Sequence, residues 1–312
     1  MTKAIPLNQP LGASASLDAL LATRFGAGDL KLASARPAKA LLAGTQKTKI
    51  RGRGMDFEEV RHYQPGDDVR SIDWRVTART EIPHTKVYRE ERERPVMILC
   101  DLRQTMGFGS INCFKSVMAA HLAATLGWAT LLGGDKVGSI IFNDHTHKEI
   151  RPKRSKSSVL EIIRELKTFT ETLLTTPQEA PKNSLTQALT ELRRIVNPGF
   201  NLHIISDFYD FDETALRELS LLSRHASITL FKIHDPLEAS IKSKGPLTIS
   251  NGHERLLIPA HSEEFQTQFT SRFTAALDQL TQAANRLGVP LINISTADNL
   301  QHTLNRLFGR KG

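Results

Sequence analysis

The carboxylates are the first groups to weigh. Asp67, Asp68 and Asp73 fall in one short run. Paired acids of this kind could hold a divalent ion for metal-dependent hydrolysis. Arg61, Arg70 and Arg79 share the run, and ion pairs with them would instead brace a segment poor in apolar residues. A second set, Asp101, Asp207 and Asp235, stands at the ends of apolar runs. Other chemistries find little support. His145 and His147 are too close to form a zinc site alone, and no HExxH occurs. Ser206-Asp207 lacks the GxSxG of a nucleophile elbow. Cys100 and Cys113 form no CxxC, and Cys100 closes an apolar run as a core residue would. There is no GxxxxGK[ST] loop to cradle a nucleotide.

The elements that must position these acids follow from hydrophobic periodicity. Apolar runs at Val96–Cys100, Val137–Phe142, Leu202–Ile205, Ile228–Ile233 and Val289–Ile294 read as buried strands. Helical spacing lies between them at about 112–132, 155–168, 186–196, 214–223 and 262–287, with a last helix near 298–308. Met118 to Leu132 is too short to span a bilayer and is expected to form a buried amphipathic helix. Asn251-Gly252 between two short apolar runs predicts a hairpin. Strands alternating with helices imply a doubly wound, mostly parallel α/β sheet. Acids at its carboxyl edge are placed for binding.

The front of the chain differs. Residues 1–15 read as disordered, and Ser16 caps a short helix, LDALLATRF. Residues 46–94 are rich in Gly, Pro and paired charges, a loop- and β-rich segment with a turn at Gln64-Pro65-Gly66-Asp67. The expected division is a tail at 1–45, this charged segment at 46–94 and the wound domain at 95–312.

The chain has 312 residues, 40% hydrophobic and 24% charged, with a net charge of +8. The surplus favours acidic partners. Two basic runs, Lys47 to Arg53 and Lys148 to Lys156, could meet nucleic acid, anionic lipid or an acidic protein face. No nucleic-acid module is recognisable, and aromatic residues make up only 6%, few for base stacking. No signal peptide or membrane span is evident, and two cysteines make no disulfide framework, so a cytoplasmic protein is expected.

The stretch GRGMDFEEVRHYQPGDDVRSIDWRVTAR resembles the signature of the family called domain of unknown function 58, a stretch that precedes a von Willebrand factor A-like domain. The residues that carry it include Gly52, Gly54, Asp56, Phe57, Arg61, Tyr63, Pro65, Gly66, Asp67, Asp68, Arg70, Asp73, Trp74 and Arg79. Later pieces agree in order, among them Ile205-Ser206-Asp207-Phe208 and Asp235-Pro236-Leu237-Glu238. The resemblance implies a non-enzymatic adaptor or chaperone-like factor that partners a MoxR-type AAA+ ATPase and its client proteins. Trp74 would then be a packing anchor on the wound domain or an exposed interface residue.

A von Willebrand factor A domain usually holds Mg²⁺ through a DxSxS strand end, a Thr from a second loop and an Asp from a third strand. Here the first motif is Asp101-Leu102-Arg103-Gln104-Thr105, with Arg in place of the first hydroxyl. In the second loop Asn183 stands for the Thr, with Ser184 next, and Asp207 matches the third acid. The expectation is a degenerate metal site in which Arg103 pairs with Asp101 or Asp207 and compensates their charge. The competing reading turns Arg103 to solvent and leaves a weak Mg²⁺ site at Asp101, Thr105 and Asp207. Three functional hypotheses follow: the adaptor, a metal-dependent hydrolase using Asp67, Asp68 and Asp73 or the strand-end acids, and a basic nucleic-acid binder.

Overall fold

The computed structural model describes residues 9–32, 55–65, 67–90, 95–175, 184–241, 243–250 and 255–309, with backbone alone at 55–59 and 87–90. The chain divides into two compact units, residues 44–93 and the rest. The basic run at 47–53 and Asn183 lie outside the described residues.

In the larger unit, the first elements are helices α1 (Leu17–Ala22) and α2 (Arg24–Ala27). In the smaller unit, β1 (Met55–His62) pairs antiparallel with β2 (His84–Glu90), and α3 (Trp74–Thr80) lies between them in sequence. The larger unit then continues with β3 (Val96–Asp101), α4 (Lys115–Leu132), β4 (Val137–Phe142), β5 (His147–Lys153), α5 (Lys156–Thr175), α6 (Leu185–Ile195), β6 (Asn201–Ser206), α7 (Glu213–Ser223) and β7 (Ser227–His234). It closes with α8 (Pro236–Ala239), a hairpin of β8 (Leu247–Ser250) and β9 (Arg255–Ile258), α9 (Glu263–Leu287), β10 (Leu291–Ser295) and α10 (Leu300–Phe308).

Six strands form one sheet in the order β10-β7-β6-β3-β4-β5, all parallel except β5. The period of two sorts the residues of the central strands between two cores. Along β3, Val96, Ile98 and Cys100 enter the core beneath α4 and α5, while Met97 and Leu99 enter the one beneath α6 and α7. With both faces covered, the central strands read as unbroken apolar runs. The doubly wound, mostly parallel α/β class expected from the sequence is the fold of this unit.

Three details depart from the sequence reading. Helix α4 is not amphipathic: residues 115–130 are buried on every side. The sheet takes one face, and α1, α2 and α5 cover the rest. The N-terminal stretch is correspondingly ordered from residue 9 onward. Gly12 bridges to Cys113, Ala15 donates its N–H to Thr170 Oγ1 at 3.2 Å, and Leu20 is fully buried. Residues 1–8 lie outside the described residues. The third departure is β5, whose sequence carries the basic run from Lys148. It is the antiparallel edge of the sheet, and only Ile150 in it is buried. Exposed Lys148, Arg151 and Lys153 guard an edge that would otherwise offer free backbone groups to another strand. Gly138 of β4 is required here, because a Cβ would lie 2.5 Å from the Ile150 carbonyl oxygen. His145 falls in the β4–β5 turn, built on Asn143 Oδ1, and His147 opens β5.

Candidate functional site

The parallel strands deliver three acids to one edge. Asp101 ends β3, Asp207 follows β6 and Asp235 follows β7, and all three are buried. A buried carboxylate needs donors or a cation, and each acid has its own.

Asp101 is met by Arg103. Its Oδ1 accepts from the Arg103 backbone N–H and Nε, both at 3.0 Å, and its Oδ2 from Nη2 at 2.8 Å. The Ser206 hydroxyl donates to the same Oδ2 at 2.7 Å. Arg103 is itself buried and also forks onto Asp210, with Nη1–Oδ2 at 2.7 Å and Nη2–Oδ1 at 2.8 Å. Asp210 Oδ2 in turn accepts the Leu185 N–H that opens α6, at 3.1 Å. Burial drives the Asp101 carboxyl above its ordinary value against the pull of Arg103. Burial also works against the Arg103 charge, but Asp101 and Asp210 outweigh it and raise the guanidinium's pKa.

Asp207 is met by a lysine. Lys115 Nζ reaches Asp207 Oδ2 at 2.9 Å and Glu238 Oε1 at 2.6 Å. Lys232 Nζ donates to the Asp207 carbonyl oxygen at 2.7 Å. Burial opposes ionisation of Asp207, yet Lys115 prevails and its pKa is lowered. The turn after it is tight: Phe208 has φ +52, and its N–H donates to Ser206 Oγ at 2.9 Å. That turn presents Tyr209, which is 80% exposed. Asp235 is closed by hydroxyls and backbone: it accepts from the Ser110 hydroxyl and N–H, from Thr296 Oγ1 at 2.6 Å and from the Leu237 N–H at 2.9 Å.

The expected pairing of Arg103 is thus with Asp101 and not with Asp207. Two partners went unforeseen, Asp210 and Lys115. Their signals were faint: a second acid three residues after Asp207, and a lone lysine opening an otherwise apolar helix. Ser184 is the N-cap of α6, its Oγ accepting from the Gln187 N–H at 3.2 Å. Thr105 Oγ1 is buried and has no hydrogen-bond partner among the described residues.

A divalent ion does not fit this donor set. The two oxygens of Asp101 already accept four donors, about the capacity of a carboxylate. Asp207 is committed to Lys115 and to the Tyr209 N–H at 3.1 Å. The reading in which Arg103 turns to solvent and leaves Asp101, Thr105 and Asp207 to Mg²⁺ is therefore corrected: the guanidinium lies inward, between two carboxylates. No cluster of three or more His, Cys, Asp or Glu suited to a metal occurs among the described residues.

In the smaller unit the acids are structural. Asp67 accepts Arg61 Nη2 at 2.7 Å and the Gln64 N–H at 3.0 Å, which together hold its carboxyl below its ordinary value. Tyr63 Oη donates to the Asp67 carbonyl oxygen at 3.4 Å. Asp68 caps the helical turn Val69–Ser71 through the Arg70 N–H. Asp73 caps α3 through the Arg75 and Val76 N–H groups, with Lys86 Nζ 3.5 Å away. Of the arginine ion pairs expected in this run, Arg61 with Asp67 is found among the described residues, and Arg70 and Arg79 are exposed. Trp74 opens α3 with its side chain 67% exposed. The Asp56 side chain and Gly66 lie outside the described residues.

The family model for the protein of unknown function DUF58 matches residues 59–278. Uncharacterized proteins of Mycobacterium bovis and Mycobacterium tuberculosis are each 27% identical over 276 residues, 86% of this chain and 83% of theirs. Among solved structures, BatB from Bacteroides thetaiotaomicron is 14% identical with a TM-score of 0.40, over 69% of this chain and 96% of that one. The SpRpn10 VWA domain is 11% identical with a TM-score of 0.38, over 68% and 94%. The sheet order and the family match, rather than these distant likenesses, carry the assignment. The chain belongs to the DUF58 family, with a von Willebrand factor A-like domain behind its signature segment.

Proposed function

We propose that this chain is a cytoplasmic, non-enzymatic adaptor that binds a MoxR-type AAA+ ATPase and presents client proteins to it. The observation that supports this reading best is the carboxyl edge. Its acids are held by internal cations, hydroxyls and backbone donors, while the loops above them expose Ile111 and Tyr209 to solvent. Acids so committed are poorly placed to activate water, whereas exposed aromatic and aliphatic side chains over a rigid base suit protein recognition. Trp74 and the arginines of α3 offer a second contact surface of the same character. The hydrolase reading loses its best support because Asp67, Asp68 and Asp73 serve as turn and cap residues. None of the helices among the described residues is long and apolar enough to cross a membrane.

The test is affinity capture of the tagged full-length chain from its native cells, with and without ATP, read by mass spectrometry. Recovery of a MoxR-type ATPase supports the adaptor. Recovery of nucleic acid with a steep salt dependence, or an EDTA-sensitive hydrolytic activity, replaces it with one of the other two readings.

A further inference from the structure

A domain of this fold that holds Mg²⁺ uses the ion to reconcile acids brought together at the sheet edge. We infer that in this chain two side-chain cations, Arg103 and Lys115, do that work permanently, so that the edge is assembled without a divalent ion and is indifferent to one. This goes beyond the adaptor reading and does not depend on it.

The geometry of Arg103 carries the inference. One nitrogen, Nη2, lies 2.8 Å from Asp101 Oδ2 and 2.8 Å from Asp210 Oδ1. Two carboxylates, one from the end of β3 and one from the β6–α7 loop, therefore converge on a single cationic atom. Nε and Nη1 complete a fork on each side, a planar match that a lysine could not make. For a metal to reach Asp101 it would have to displace this guanidinium, leaving a buried cation beside a second cation, which is strongly unfavourable.

Lys115 repeats the logic one strand away. It is buried and opens α4, where the helix dipole disfavours a positive charge. Among the described residues, Asp207 and Glu238 are the carboxylate partners that offset both penalties. Thr105 Oγ1, two residues after Arg103 in sequence, is buried without a hydrogen-bond partner among the described residues.

The experiment is calorimetric titration of Mg²⁺, then Mn²⁺, into the full-length chain stripped with EDTA, with thermal unfolding recorded alongside. The wild type is expected to give no saturable heat at millimolar metal and a Tm change under about 1 °C. Arg103→Ser removes the guanidinium and restores a hydroxyl two residues after Asp101. It is expected to melt lower than wild type and to regain at least about 3 °C with millimolar Mn²⁺ or Mg²⁺. Stoichiometric Mg²⁺ binding by the wild type, lost in Asp101→Asn, overturns the inference. So does an Arg103→Ser chain that folds and gains nothing from either metal. If that variant does not fold, the wild-type titration decides alone.

Discussion

Buried charge decides the behaviour of single residues at this edge. Lys115 is worth little as an isolated attraction, because desolvation cancels most of it, but removing one member strands the other. Lys115→Met should therefore cost about 3–5 kcal/mol by urea denaturation. Adding Asp207→Asn should recover part of that loss, since the stranded carboxylate is then neutral. Two single losses that simply add would mean the groups are not coupled. His203 gives a pH prediction. Both ring nitrogens are buried without hydrogen-bond partners among the described residues, and the ring meets Phe231 edge-on, centroids 5.8 Å apart. Burial pushes its pKa down to about 4, below the ~6.5 of an unfolded chain. The fold thus favours the neutral ring. That stability is complete above about pH 6.5 and is lost as the pH falls toward 4, at most about 3 kcal/mol. His203→Leu should flatten the stability curve between pH 6.5 and 4; an unchanged slope would assign the acid sensitivity elsewhere. Asp207 and Asp235, both lowered despite burial, act in the same sense at lower pH.

Elements were legible where burial is symmetrical. The runs at Val96, Val137, Leu202 and Ile228 announce central strands because both faces are apolar. Strand β5 was hidden because HKEIRPK turns one residue inward and guards its edge with charge. Helix α3 was hidden too: WRVTART buries none of its residues, and its cap, Asp73, reads as one more acid in a charged run. The N-terminal helix was seen, but its role was not, since nothing local shows that α4, buried on every side over residues 115–130, needs a cover. Arg24 lies over the Trp128 ring at 5.5 Å, and Trp128 is buried under this segment. Deleting residues 1–32 in a Trp74→Phe background should shift Trp128 emission to the red and lower Tm. Leu20→Ala, at about 2–5 kcal/mol, should reproduce part of the loss. Emission that stays blue after the deletion would show that α4 is covered without α1 and α2.

On the scale of the whole molecule, the larger unit holds its sheet-edge acids with internal cations, hydroxyls and backbone donors, and the smaller unit exposes Trp74 and the arginines of its helix. The class of the wound unit was readable from alternation alone. The pairing at its edge was readable only to the level of Arg103 with an acid, because partners from α4, α8 and the β6–α7 loop are distant in sequence. The signature segment pointed to the family, and Asp67, Asp68 and Asp73 within it shape turns and caps. The most direct test compares capture of the ATPase by wild type, Tyr209→Ala and Trp74→Ala in buffer containing EDTA. Both side chains are exposed, so neither substitution should disturb the fold. A MoxR-type ATPase should be retained by the wild type and at least about tenfold less by one or both variants, as for an aromatic hot spot. Equal capture by all three chains, or no ATPase with any of them, would contradict the adaptor reading.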